Sequence, residues 1–303
     1  MILLVAFVAA LVRISVPYAL AALGGTMSEK SGVVQIALEG MLLVGAFSAV
    51  VSADATGSAT LGIVGGALAG GLLALVYALV VLWLSTDQIV TGVAINLLAD
   101  GLTRYLLKVR YDSASNSPRV EALSIHPLVH GGELVEALTH PLVLGTIGLC
   151  FLVAFILKRT VFGLRLRAVG EHPDAARTLG VDPRRVRLFA LVIGGLLAGA
   201  GGAYLAAEQR QFVSGMSAGR GYIALAAMIF GRWRVWPAVA ACLLFGAAEA
   251  LQIRMQTQGG LLPGWAVQML PYVLTLVVLG VAGKGKRRGH GGGNAPAALG
   301  KSL

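Results

Sequence analysis

The chain has 303 residues, of which 57% are hydrophobic and 13% charged, with a formal net charge of +10. Soluble domains carry about a quarter charged residues. The charge deficit and a mean hydropathy of +0.81 exclude an ordinary soluble enzyme or binding domain and indicate an all-α polytopic membrane protein.

In chain order, nine crossings are expected, within a range of about 8–10. They cover 1–23, 33–53, 60–84, 88–107, 140–157, 188–207, a short apolar helix at 219–230, 236–253 and 266–281. Residues 24–32 are expected as a polar turn, 85–87 as a tight turn and N-cap, and 108–139 as a long polar segment. The transmembrane domain is expected over 1–282, with a disordered polar tail over 283–303. The short helix at 219–230 would rise about 18 Å at ~1.5 Å per residue, too little for a core of ~30 Å. It is therefore expected as a broken, half-depth helix. Cys150 and Cys242 lie inside apolar runs, where packing is their ordinary role.

The stretch 158–187 is the longest basic interruption of the second half. It holds Lys158, Arg159, Arg165, Arg167, Arg177, Arg184, Arg185 and Arg187 against Glu171, Asp174 and Asp182. Basic loops between spans stay in the cytoplasm, so the cations act as topology signals and nucleic acid is not expected as a partner. The tail carries five Lys/Arg and no acid, whereas 108–139 is net acidic. Loop and tail are thus placed inside, the acidic segment outside, and the N-terminus outside. Within the loop, Pro173 and Asp174 open a short helix, Gly180 stops it, and Asp182-Pro183 begin the next element.

A hexapeptide recurs. Ile36-Ala37-Leu38-Glu39-Gly40-Met41 is echoed by Ile223-Ala224-Leu225-Ala226-Ala227-Met228, each after a glycine (Gly32, Gly219) at the same distance. In the topology above the copies run in opposite directions, the pattern of an inverted repeat with a midplane substrate site. Gly62, Gly66 and Gly70, and Gly195 and Gly199, have the spacing that lets helices approach closely in lipid.

Ionisable and amide side chains inside spans are costly, so they pair, face water or serve a pathway. Gln35 and Glu39 share one helical face, as do Asn96 and Asp100. Gln35, Glu39 and Asn96 are the candidate pathway residues for a polar solute, with interhelical hydrogen bonding as the alternative role. Glu39 and Asp100 could instead carry protons in an ion-coupled secondary transporter.

Four segments carry a family resemblance: 28–41 (SEKSGVVQIALEGM), 87–98 (DQIVTGVAINLL), 163–176 (GLRLRAVGEHPDAA) and 219–233 (GRGYIALAAMIFGRW). In this order they resemble ABC importer permeases of the branched-chain amino acid and simple-sugar class, most like the nucleoside branch. One departure is Gln35, where the family pattern has Asn; the amide is kept but moved by one methylene. The resemblance implies an importer permease subunit in the bacterial inner membrane, for nucleosides, branched-chain amino acids or simple sugars. It also implies an ATPase subunit docked on Gly170, Glu171, His172, Pro173, Ala175 and Ala176. A second permease subunit, like or unlike, an extracytoplasmic substrate-binding protein and membrane lipid would complete the assembly.

No catalytic constellation, cofactor or metal site is expected. The stretch 280–287 approaches a phosphate loop but lacks the Ser/Thr for magnesium and follows a membrane helix, not a strand. Gly300-Lys301-Ser302 lacks the upstream glycine. His126 and His130 have helical metal spacing, but Pro127 stands between them.

Overall fold

The computed structural model describes residues 2–129, 131–257 and 295–301. Eleven α-helices are present among them: α1 (Ile2–Lys30), α2 (Leu38–Thr56), α3 (Ala59–Trp83), α4 (Gln88–Tyr111), α5 (Glu133–Thr139), α6 (Pro141–Arg159), α7 (Val161–Glu171), α8 (Pro173–Thr178), α9 (Pro183–Gln209), α10 (Arg220–Phe230) and α11 (Val235–Thr257). Six of these (α1, α2, α3, α6, α9 and α11) are long and apolar enough to cross a membrane. α4 is comparably long but carries Asn96, Asp100, Arg104 and Lys108. The short helix expected at 219–230 is α10. The expected crossing at 266–281 lies outside the described residues, as do His130 and 283–294.

α9 is the central post, packed against α1, α2 and α3. Its contact with α3 rests on the spaced glycines. A Cβ built on Gly199 would fall 2.5 Å from the Gly66 carbonyl oxygen, and one on Gly70 would fall 2.5 Å from that of Gly195. The two backbones touch where any side chain would hold them apart, and dispersion between close-packed surfaces binds the pair. The outward faces of α3 and α6 keep exposed Leu, Val, Ile and Phe, the composition of a lipid-facing surface.

Two expectations are corrected. The stretch 24–32 is not a turn: α1 continues through it to Lys30, and the bend comes at 31–37. Thr26 and Ser28 return their hydroxyls to the carbonyls of Ala22 and Gly24, at 2.7 and 3.1 Å. Gly24 lies against the backbone of Gly194 on α9. Polar side chains satisfied on their own helix and a glycine needed for contact leave no reason for the chain to turn. α1 is thus 29 residues long, about 43 Å at ~1.5 Å per residue. The second correction concerns Arg187, counted from sequence among the cations of the loop before the next span. α9 begins at Pro183, capped by the Asp182 side chain accepting from Arg184 N at 3.0 Å. Arg187 therefore lies in the helix, and it is 1% exposed.

The expected N-cap at 85–87 is present: Asp87 accepts from Ile89 N and Val90 N, both at 2.9 Å. At the end of the bundle away from α7 and α8, the loop after α4 pairs with the loop after α9. Ser117 N donates to Phe212 O at 2.9 Å and Val120 N to Arg210 O at 2.8 Å. The two loops thus form one cap over this end of the bundle.

Part of the tail is also ordered. Residues 295–301 form turns against α7 and the 31–37 bend, where Ala298 N donates to Gly170 O at 2.9 Å and Gly300 N to Gly32 O at 3.2 Å. The helical core thus offers these seven residues backbone partners.

Candidate functional site

Gln35, Glu39 and Asn96 are gathered where the 31–37 bend, α2, α4 and α10 meet. Glu39 sits in the first turn of α2 and reaches across to α10. Its Oε1 accepts from Gly219 N at 2.8 Å and its Oε2 from Gly221 N at 2.7 Å. The first N–H groups of a helix have no partner within it and carry its positive dipole end, so a carboxylate from α2 caps α10. The approach demands glycine: a Cβ on Gly221 would lie 2.5 Å from Glu39 N. Asn96 ties the same junction. Its Oδ1 accepts from Gly40 N at 2.8 Å, and its Nδ2 donates to Ile36 O and to the Tyr222 hydroxyl, both at 3.0 Å.

The two copies of the repeat therefore flank one polar seam. Gly32 and Gly219 both adopt left-handed φ, +94° and +83°, conformations glycine reaches without strain. Beyond that glycine the copies diverge. α10 starts directly after Gly219, whereas 33–37 stays non-helical before α2.

Gln35 lies in that non-helical bend and is fully buried. Its Nε2 is 3.3 Å from Met41 Sδ, and its Oε1 is without a partner. Asp100 does not join the seam: it pairs with Arg104 at 3.1 Å on a solvent- or lipid-accessible face.

Sequence reasoning missed two members of this region. Glu29 is 2% exposed; its Oε2 accepts from the Trp233 indole N–H at 2.6 Å and its Oε1 from Gln35 N at 3.3 Å. It was hidden in a segment expected to be a turn, although it stands within one of the four resemblance segments. Tyr222 likewise stands within the fourth segment but was not singled out. At the first position of α10, Arg220 pairs with Glu249 at 2.7 Å, and Glu249 also accepts from the Tyr18 hydroxyl. This partly buried pair joins α1, α10 and α11.

The basic loop is two helices and not one. Thr160 caps α7 by accepting from Gly163 N at 3.1 Å. His172 ends α7 and precedes Pro173, the first residue of α8; Gly180, at φ +80°, follows α8. Gly170 is buried because its Cα faces the end of α1: a Cβ there would lie 2.1 Å from Lys30 O. Glu171, His172, Asp174 and Ala175 are exposed, and Ala176 anchors α8 in the core. A cleft lined by Glu171, His172, Pro173, Asp174 and Ala175 is closed on one side by Ala298 and Lys301. Glu171 Oε2 accepts from Ala297 N at 3.3 Å.

The cap formed by the loops after α4 and α9 borders a third polar space of about 270 Å³, lined by Arg13, His126, Glu136, His140, Glu208 and Arg210 among others. Arg13 lies 3.7 Å from Glu208. Burial lowers the pKa of His140, a cost that Glu208 partly offsets. Among the described residues no group of three or more His, Cys, Asp or Glu could hold a metal ion.

Long apolar helices, a broken pair meeting at a buried polar seam and a basic helical arm at one end of the bundle are the parts of a membrane permease. Residues 7–279 match the family described as Branched-chain amino acid transport system / permease component, and the chain belongs to that family. It is 36% identical over 284 residues to the guanosine ABC transporter permease protein NupQ of Bacillus subtilis, covering 87% of each chain. It is 37% identical over 285 residues to the nucleoside ABC transporter permease protein NupC of Lactococcus lactis, covering 88% of each. It is also 36% identical over 246 residues to the putative glucose ABC transporter permease protein TsgC13 of Haloferax volcanii, covering 78% of this chain and 74% of that one. The chain is accordingly a multi-pass plasma-membrane protein and a transporter subunit, not an enzyme. Its family implies ATPase and substrate-binding partners.

Proposed function

We propose that this chain forms the membrane pathway of an ATP-driven importer for nucleosides. The observation that carries the reading is similarity over 87% and 88% of both chains to relatives named for guanosine and nucleoside transport. The seam chemistry is compatible with it. Tyr222 hydroxyl, the unpartnered Gln35 Oε1 and the remaining lone pairs of Glu39 offer a donor and several acceptors to ring hydroxyls and amides. The relative named for glucose favours a second reading, a simple sugar; both solutes present a hydroxylated ring.

In this reading the ATPase grips Gly170, Glu171, His172, Pro173, Ala175 and Ala176. Movement of α7 and α8 passes to the end of α1 through Gly170 and Lys30. A second permease subunit, identical or related, completes the conduit, and an external binding protein delivers solute to the outer cap. The seam opens by separating Glu39 from the α10 N-terminus, a two-state motion around a broken helix.

Proteoliposomes holding the permease, its ATPase and its binding protein test this. Labelled guanosine should accumulate only with ATP inside, and glucose should compete poorly. Preferential glucose uptake would transfer the assignment to sugars. Uptake that continues without ATP on a proton gradient would replace the mechanism by ion coupling.

A further inference from the structure

A cavity of about 190 Å³ opens on the inner face where the ends of α1, α6 and α7 meet the turn into α11. Four cations border it: Lys30, Lys158, Arg167 and Arg234, with Trp233 and Trp236 beside them. No acid is among its lining residues. The nearest carboxylate in sequence, Glu29, is occupied by the Trp233 indole. None of the four cations makes an ion pair within the hydrogen-bonding range of a carboxylate among the described residues, and Arg167 only returns a contact to Gly163 O at 3.3 Å. Glu171 acts on Lys30 from a distance. Four gathered like charges repel one another, so the arrangement calls for an anion.

The position identifies the anion. Lys30 ends α1, Lys158 stands at the end of α6 and Arg234 precedes α11, so three membrane spans terminate at the level of the cavity. Indoles favour that boundary. Directly along α6 toward the membrane, Phe151, Leu152 and Phe155 are exposed, and the Phe151 ring packs edge-on to Trp236 at 4.7 Å. A phosphate among the cations would therefore continue into an apolar surface suited to acyl chains. The volume of about 190 Å³ is below the ~300–1,000 Å³ of pockets that enclose whole small-molecule ligands and suits a headgroup phosphate whose lipid extends out of the cleft.

We propose that this cavity binds the headgroup phosphate of an anionic phospholipid of the inner leaflet. Basic pockets between spans on the cytoplasmic side take such headgroups, and guanidinium groups hold phosphate by paired hydrogen bonds. Arg167 lies on α7, four residues before Glu171, so the lipid ties the docking arm to α1, α6 and α11. Arm movement then depends on lipid charge as well as on the ATPase.

Native mass spectrometry of the full chain in detergent, titrated with phosphatidylglycerol and separately with phosphatidylcholine, tests the site. Phosphatidylglycerol should bind at least tenfold more tightly. Each cation facing an anionic lipid is worth about a fivefold change, so K158Q/R167Q/R234Q should weaken phosphatidylglycerol by tenfold or more. K158Q alone, at an exposed position, should weaken it about fivefold. R119Q removes the same charge from the outer segment and should leave binding within twofold. Undiminished binding by the triple and single variants, or equal binding of the two lipids, would overturn the site. Displacement of phosphatidylglycerol by equimolar inorganic phosphate would overturn the lipid assignment in favour of a free anion.

Discussion

Glu39 Oε2 accepts from Gly221 N at 2.7 Å, so a carboxylate at the start of one repeat copy caps the helix of the other. Hydrogen bonds to charged groups contribute about 1.5–3 kcal/mol. Glu39→Gln should keep the shape but weaken the cap, lowering both the unfolding midpoint in detergent and the transport rate. Gly221→Ala should do more damage, because its methyl would lie 2.5 Å from the Glu39 backbone. Equal midpoints for both variants and wild type would show that the cap carries no weight.

The glycines of α3 and α9 set a second expectation. Gly199→Leu should abolish recovery of folded protein on size exclusion, since its Cβ alone meets Gly66 O at 2.5 Å. Gly145→Ala on α6, where nothing lies within 4 Å, should be neutral or stabilising by up to about 1 kcal/mol. A well-folded Gly199→Leu protein would refute close helix contact at this point.

For the docking arm, Glu171→Ala combined with Pro173→Gly should lower co-purification of the ATPase while membrane insertion stays intact. Proline at the first position presets the turn of α8, and glycine loosens it by about 1 kcal/mol. Undiminished co-purification would count against α8 as the grip.

Arg187 links α9 to the tail. Its Nε donates to Ser31 O and one terminal nitrogen to Lys301 O, both at 3.1 Å. Ending the chain after Asn294 removes the second acceptor from a buried guanidinium, a loss of about 1–3 kcal/mol or more. The truncation should lower the unfolding midpoint in wild type and cost distinctly less in Arg187→Met. An identical loss in both backgrounds would mean that the two are not coupled.

His140 supplies a pH dependence. Burial lowers its folded pKa below the ordinary 6.5. The unfolded state therefore takes up the proton first as pH falls. The stability contribution is full above about pH 6.5 and declines as pH falls toward the folded value. The midpoint measured between pH 7.5 and 5 should drop, and His140→Gln should flatten the drop. A slope unchanged by the substitution would assign it to other groups.

Much of this molecule was settled by local chemistry along the chain. Long apolar runs without charge can only be membrane helices, since lipid offers a backbone no other partner than itself. Capping residues such as Asp87, breakers such as Gly180 and the spacing of Gly66, Gly70, Gly195 and Gly199 act over a few residues and are visible without a fold. What required the tertiary structure was every fact about partners distant in sequence. Residues 24–32 look like a polar turn until Gly24 is seen to pack on Gly194 of α9 and Glu29 to accept from Trp233. Arg187 looks solvated until Ser31 and the tail close over it. Gln35, Glu39 and Asn96 were recognisable as costly in a membrane. That Asn96 is consumed by Gly40, Ile36 and Tyr222, and that Glu39 caps α10, was decided by packing. The meeting of Lys30, Lys158, Arg167 and Arg234 was decided the same way, because hydrogen bonds and charges act across space and leave no periodic trace in sequence.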